Sequence, residues 1–143
     1  MDKQVHLMKL CVGAEKVEDL LAWQAQARAK GPDGLPRHIT RMWPKREAEA
    51  LNGGSIYWVF KGVVLARQKL MRFDEYISAD GIRRCALVLD PEVHRTEAMP
   101  RRAFQGWRYL EPGDAPRDLP RARAREASLP RGMELALAEI GLR

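Results

Sequence analysis

Between Ser55 and Leu89 the sequence carries three stretches of strand character with no helix-forming stretch between them. Ser55–Lys61 sets Ile56, Trp58 and Phe60 on one side and Tyr57, Val59 and Lys61 on the other, the two-residue period of an extended chain. Gly62 marks a bend or a bulge. Val63–Phe73 continues as a second strand or as one long bent strand. Asp80-Gly81 then supplies a hairpin turn into Ile82–Leu89, which Asp90-Pro91 ends. Neighbouring parallel strands need a crossover of about a dozen residues or more, and these joints are too short for one. The chain is therefore expected to build an antiparallel or mixed sheet.

The flanking stretches add helices. Val5–Val12 is apolar on both sides, as a central strand is, and Gly13 ends it. Over residues 15–29, Val17, Leu20, Leu21 and Gln24 recur at helical spacing with Trp23 at the edge of the stripe, until Gly31-Pro32-Asp33-Gly34 closes the helix. His38–Trp43 alternates as a strand, and Pro44 forbids its continuation. Lys45–Leu51 favours a short helix, stopped by Asn52-Gly53-Gly54. His94–Ala98 and the aromatic segment Phe104–Leu110 follow, then an irregular loop over 111–127 with Pro112, Pro116 and Pro120. Ser128-Leu129-Pro130 opens a C-terminal helix over 128–141, with Met133, Ala136, Leu137 and Ile140 on one face. The expected fold class is α+β: a single domain over 1–143 with a mixed or antiparallel curled sheet, a partly closed small β-barrel, flanked by an early helix and a C-terminal helix. At 143 residues such a domain holds a real core without a disulfide or metal staple.

Several classes are excluded. Val5–Val12 is short, contains His6 and Lys9 and lacks a cleavage site of small residues, so it is no secretory signal. No apolar run approaches the roughly 20 residues of a membrane helix, so a cytoplasmic protein with no membrane partner is expected. Cys11 and Cys85 sit in apolar strands and suit small buried hydrophobes. No Cys/His pair has ligand spacing, neither GxxxxGK[ST] nor GxGxxG occurs, and no cofactor or metal is implied.

The net charge of +6 is unevenly spread. Residues 37–72 carry eight basic and two acidic side chains, and residues 101–125 seven and three. Basic surface attracts polyanions and anionic metabolites. Three stretches concentrate the chemistry. Arg41-Met42-Trp43-Pro44-Lys45-Arg46 gathers cations and an indole where a helix would begin, a place suited to phosphate or carboxylate; a solvated basic corner suits it equally. Gly53-Gly54 before Ile56–Trp58 permits close approach of a ligand to the backbone, or merely turns the chain. Arg101-Arg102 and Phe104–Tyr109 interleave cations with rings, as a single-stranded nucleic-acid surface does, where rings stack on bases and cations follow phosphates; the same rings also suit a core strand. Lys61, Arg67 and Gln68 join that surface if the strand alternation turns them outward.

Catalytic groups are sparse. His6, His38 and His94 lie far apart, and there is no GxSxG elbow. His38 and Asp90 are the acid–base candidates, one beside Arg41 and the other closing a strand.

His6–Gly13, Thr40–Arg46, Gly53–Gly62 with Arg67-Gln68, Asp80–Cys85, Leu89-Asp90-Pro91 and Phe104–Leu110 resemble an uncharacterised bacterial family, domain of unknown function 1489, over residues 5–120. The resemblance implies a stand-alone bacterial cytoplasmic protein and carries over no catalytic residue. The order of elements is also similar to the PUA-like (pseudouridine synthase and archaeosine transglycosylase) fold, including its ASCH type, an analogy of fold alone. Three functions follow as expectations. The first is an RNA- or nucleotide-binding module using Arg41, Trp43, Lys45, Arg46, Lys61, Arg67, Arg102, Trp107 and Arg108. The second is an enzyme acting on a phosphorylated or carboxylated small molecule, with His38 or Asp90 moving protons. The third is a structural subunit forming a homodimer.

Overall fold

The computed structural model describes residues 3–102 and 104–120. Its strands are β1 (His6–Leu10), β2 (Arg37–Thr40), β3 (Ser55–Phe60), β4 (Val63–Ile77), β5 (Arg83–Leu89), β6 (His94–Pro100) and β7 (Trp107–Leu110). Helix α1 (Val17–Gln24) follows β1, and a one-turn helix α2 (Glu47–Ala50) precedes β3. The class is α+β. The expected C-terminal helix over 128–141, and residues 121–127 of the loop before it, lie outside the described residues.

The seven strands form one mixed sheet in the order β2-β5-β4-β3-β1-β7, with β6 also on β4. β3 and β4 are joined by Lys61-Gly62, both at positive φ (47° and 82°). Positive φ at both central residues is what a two-residue hairpin loop requires, so Gly62 is turn rather than bulge. The bulges fall inside the ladders instead, where register shifts at Trp58/Val59 and Leu70/Arg72 bend the long β4. β5 and β6 pair with successive halves of β4 and are separated by Asp90–Val93. Strand β1 is central: it runs parallel to β3 and antiparallel to β7. The β1-to-β3 crossover contains α1, β2 and α2, which is long enough for a parallel pair.

The sheet does not close into a barrel, contrary to the expectation of a partly closed one. Its end strands β2 and β7 are four residues each, and no ladder joins them. Pro44 has no N–H to donate, and the chain bends at Arg41-Met42 before it could extend β2. The 41–46 loop bridges the gap with single hydrogen bonds. Trp107 Nε1 donates to the Met42 carbonyl at 2.9 Å, and the Arg46 N–H donates to the Tyr109 hydroxyl at 3.0 Å.

Both faces of the sheet are covered. Leu7, Ile56, Trp58, Phe60, Leu70, Leu87, Leu89 and Trp107 build the larger core, with Val17 and Leu20 of α1 and Ala50 of α2 packed into it. Met8, Tyr57, Val59, Val64 and Leu110 build a smaller one on the other face, with Phe104 and Ala115 against it. α1 is shorter than its apolar stripe suggests. Lys16 is extended, and after Ala25 the chain turns extended again at Gln26 before a 3-10 turn over Ala27–Ala29.

Candidate functional site

α1 packs across the larger-core face of the sheet and leaves a cavity of about 380 Å³ at one end. Its walls are Cys11–Ala14 from the β1–α1 turn, Asp19, Leu20 and Trp23 from α1, His38 from β2 and Trp58 from β3. A volume of a few hundred Å³ with mostly apolar walls and a few polar groups is the usual make of a small-molecule site.

Trp58 is fixed from behind. Its Nε1 donates to Gln68 Oε1 at 2.9 Å. Gln68 is fully buried and exchanges a reciprocal pair of amide bonds with Gln24 of α1, each 2.7 Å. Gln68 Nε2 also donates to the Asp90 carbonyl at 3.0 Å. Both acceptor sites and both donors of that amide are thus used. One side chain ties α1, β3, β4 and the Asp90 turn together behind the cavity wall.

His38 stands edge-on to both indoles. Its ring centroid is 5.3 Å from Trp58 at 87° and 6.3 Å from Trp23 at 68°. His38 Nε2 is buried and has no hydrogen-bond partner among the described residues. Burial, with a smaller contribution from the Lys9 charge, pushes the His38 pKa down to about 4. The imidazole is therefore neutral at pH 7, with one nitrogen a donor and the other an acceptor.

Asp19 is the charged wall. Its Oδ2 accepts the backbone N–H groups of Glu15 and Lys16 at 2.9 and 3.2 Å, and these bonds hold the carboxyl below the ordinary range. Oδ1 makes no hydrogen bond among the described residues. Burial pushes the Cys11 thiol up to about 11, so it is protonated and a poor nucleophile. The cavity thus offers two indole rings, a neutral imidazole and one carboxylate oxygen.

Of the residues expected from sequence, His38 alone lines this cavity. Trp43 is half-buried, donates to Glu47 at 2.6 Å, packs edge-on against Phe73 and lies under the Arg83 guanidinium. Arg41 and Lys45 are exposed. Arg46 binds Glu49 at 2.8 Å and Glu111 at 2.9 Å and stacks on Tyr109. The helix that was to offer an anion site there is one turn long, and the Arg46 N–H is taken by Tyr109. Lys61 pairs with Glu15 at 2.8 Å, both well exposed. Arg67 makes a two-pronged bond to Asp118 at 2.6–2.7 Å and reaches Ser55 Oγ.

The β7 interleaving divides between the faces. Trp107 is buried in the larger core, while Arg108 is exposed on the other face and lies over Phe104. Arg102 is exposed. Asp90 Oδ1 accepts the Glu92 N–H at 2.8 Å and serves as a turn. The Gly53-Gly54 turn is approached by the chain's own backbone: a Cβ at Gly54 would lie 2.3 Å from the Ala50 and Val5 carbonyl oxygens. The two basic blocks do meet, through Arg46–Tyr109 and Trp107–Met42, but the carboxylates of Glu49, Glu111 and Asp118 occupy the junction.

Trp23 and Asp19 went unmarked as site residues in the sequence, Cys11 was read as a small buried hydrophobe, and Trp58 stood only in the strand after Gly53-Gly54. The one available signal was Trp23 at the edge of the α1 stripe, too large for a solvent face and off the core face. No helix among the described residues is long and apolar enough to cross a membrane. No curated protein and no solved structure matches the chain. The family model described as "Protein of unknown function (DUF1489)" matches residues 7–143, and the chain belongs to that family.

Proposed function

We propose that the protein is a nucleotide-binding module, and that the cavity between α1 and the sheet, rather than the arginine-rich surface, holds the base. The observation that carries this is the neutral His38 set edge-on between Trp23 and Trp58, with a buried Nε2 that the fold leaves unpartnered. An unpaired buried polar atom costs about 1–3 kcal/mol and calls for a partner, which a bound ligand can supply. Flat heteroaromatic rings stack on indoles at about 1–3 kcal/mol each. Asp19 Oδ1 supplies an acceptor for a ring or exocyclic N–H, and the positive charge of the chain favours phosphorylated ligands.

The test is calorimetric titration of the four common ribonucleotides into the wild type, Trp23→Ala and Arg108→Ala. The cavity account expects Trp23→Ala to weaken binding about tenfold or more and Arg108→Ala to leave it within about twofold. Loss on Arg108→Ala with Trp23→Ala unaffected would transfer the site to the β7 surface.

A further inference from the structure

Lys9 is the one basic side chain that the sheet register directs to the cavity side of β1. Across the sheet its partners are Trp58 on β3 and Trp107 on β7. Partners in register share a face, so Lys9 leaves β1 on the same side of the sheet as these two tryptophans, one of which is a cavity wall. The side chain is half-buried, and none of the ion pairs among the described residues includes it. Its charge is felt by His38 and by Cys11, both cavity walls. A half-buried ammonium without a carboxylate leaves a positive charge that a bound anion can pair.

Two other cationic features near this cavity are already engaged. The N-terminus of α1 opens nearby, but the Asp19 carboxylate already accepts its preceding N–H groups and would repel an anion. Lys61 is held by Glu15. The Asp19 carboxylate in one wall and the Lys9 ammonium beside another give the cavity a direction: the hydrogen-bonding edge of a ring toward Asp19, and a negative group toward Lys9.

We infer that Lys9 is an anion-binding residue of this cavity, and that the natural ligand is a phosphorylated nucleoside whose phosphate sits on the Lys9 ammonium. The inference rests on the proposed nucleotide reading and adds to it the group that selects nucleotide over nucleoside. The same chemistry is presented by a free mononucleotide and by a nucleotide within an RNA strand.

The experiment follows tryptophan fluorescence while each of the four ribonucleosides, its 5′-monophosphate and a 12-nucleotide single-stranded RNA is added. It uses the wild type, Lys9→Gln and Lys9→Arg. The expected result is that a monophosphate binds the wild type about tenfold tighter than its nucleoside, as one charge-assisted contact provides. Lys9→Gln should abolish that advantage while nucleoside affinity stays within about twofold, and Lys9→Arg should restore most of it. Unchanged nucleoside affinity also shows that the Gln variant is folded. RNA binding tighter than the mononucleotide with the same Lys9 dependence identifies a strand as the source; mononucleotide binding alone identifies the free ligand. Equal affinity for nucleoside and monophosphate in the wild type overturns the inference and leaves the nucleotide reading standing. So does a Lys9→Gln loss that is equal for both. Failure of every nucleoside and nucleotide to bind the wild type overturns the reading and the inference together.

Discussion

His38 shows how a single residue's burial reaches into the behaviour of the whole chain. An unfolded histidine takes up a proton near pH 6.5, whereas folded His38 does so near about 4. Between those values the unfolded chain binds more protons, so stability falls as pH falls from about 6.5 toward 4. His6 adds in the same sense: its pKa is also lowered, by burial first and then by Arg67. Integrated over the shift, His38 should remove about 2.5 kcal/mol of stability between pH 7 and pH 4.5. His38→Phe should lose that part of the pH dependence, read from urea midpoints at the two pH values. Equal pH dependence in variant and wild type would contradict the burial account. His38 was visible in the sequence as a titratable group. Its neutrality was not, because that depends on Trp23, Trp58 and Lys9 arriving from three other elements.

At the level of elements, local chemistry made most of the sheet legible. The alternation of Ile56, Trp58 and Phe60 against Tyr57 and Val59 matches the two cores that β3 separates. Asp80-Gly81 turns β4 into β5, and Lys61-Gly62 turns β3 into β4. A lysine at φ 47° costs about 1 kcal/mol that asparagine largely avoids. Lys61→Asn should therefore stabilise by about 0.5 kcal/mol in thermal denaturation, since the exposed Glu15 pair it gives up contributes little. What stayed hidden was set by distant partners. Gln68 sits in the strand alternation like any polar residue, and only the α1 docking reveals it as the tie among Gln24, Trp58 and Asp90. Gln68→Leu leaves the Gln24 amide and the Trp58 N–H unpaired and should cost about 2–4 kcal/mol, with part recovered in Gln24→Leu/Gln68→Leu. A double variant as unstable as the sum of the singles would show that the pair is not coupled. Of the two readings of Gly53-Gly54 the turn is the one seen: a bare backbone allows close approach, and here α2 and the residue before β1 make it. Gly54→Ala should abolish soluble folded protein, because the clashing atoms are backbone carbonyls.

At the scale of the whole molecule, Arg46 and Arg67, the two cations of the 37–72 block that reach toward the 101–125 block among the described residues, are paired with carboxylates rather than open. The blocks over 37–72 and 101–125 touch at the 41–46 loop and β7, yet Glu49, Glu111 and Asp118 neutralise Arg46 and Arg67 there. Trp107 spends its ring on the core and its N–H on Met42. The sequence showed the composition of a nucleic-acid surface, and the fold consumed much of it in joining the two ends of an open sheet. The cavity lies elsewhere, assembled from β1, α1, β2 and β3, whose neighbourhood depends on the parallel β1–β3 pair. No local pattern announces such a crossover. The central claim is that this cavity, not the arginine-bearing edge, is where the protein meets its ligand. The four tryptophans divide cleanly between the two places: Trp23 and Trp58 line the cavity, and Trp43 and Trp107 belong to the edge. The decisive measurement is the indole N–H region of a proton–nitrogen correlation spectrum recorded during titration with a ribonucleoside monophosphate. The account predicts that the Trp23 and Trp58 signals move together and saturate while those of Trp43 and Trp107 hold still. Movement confined to Trp43 and Trp107 would contradict it.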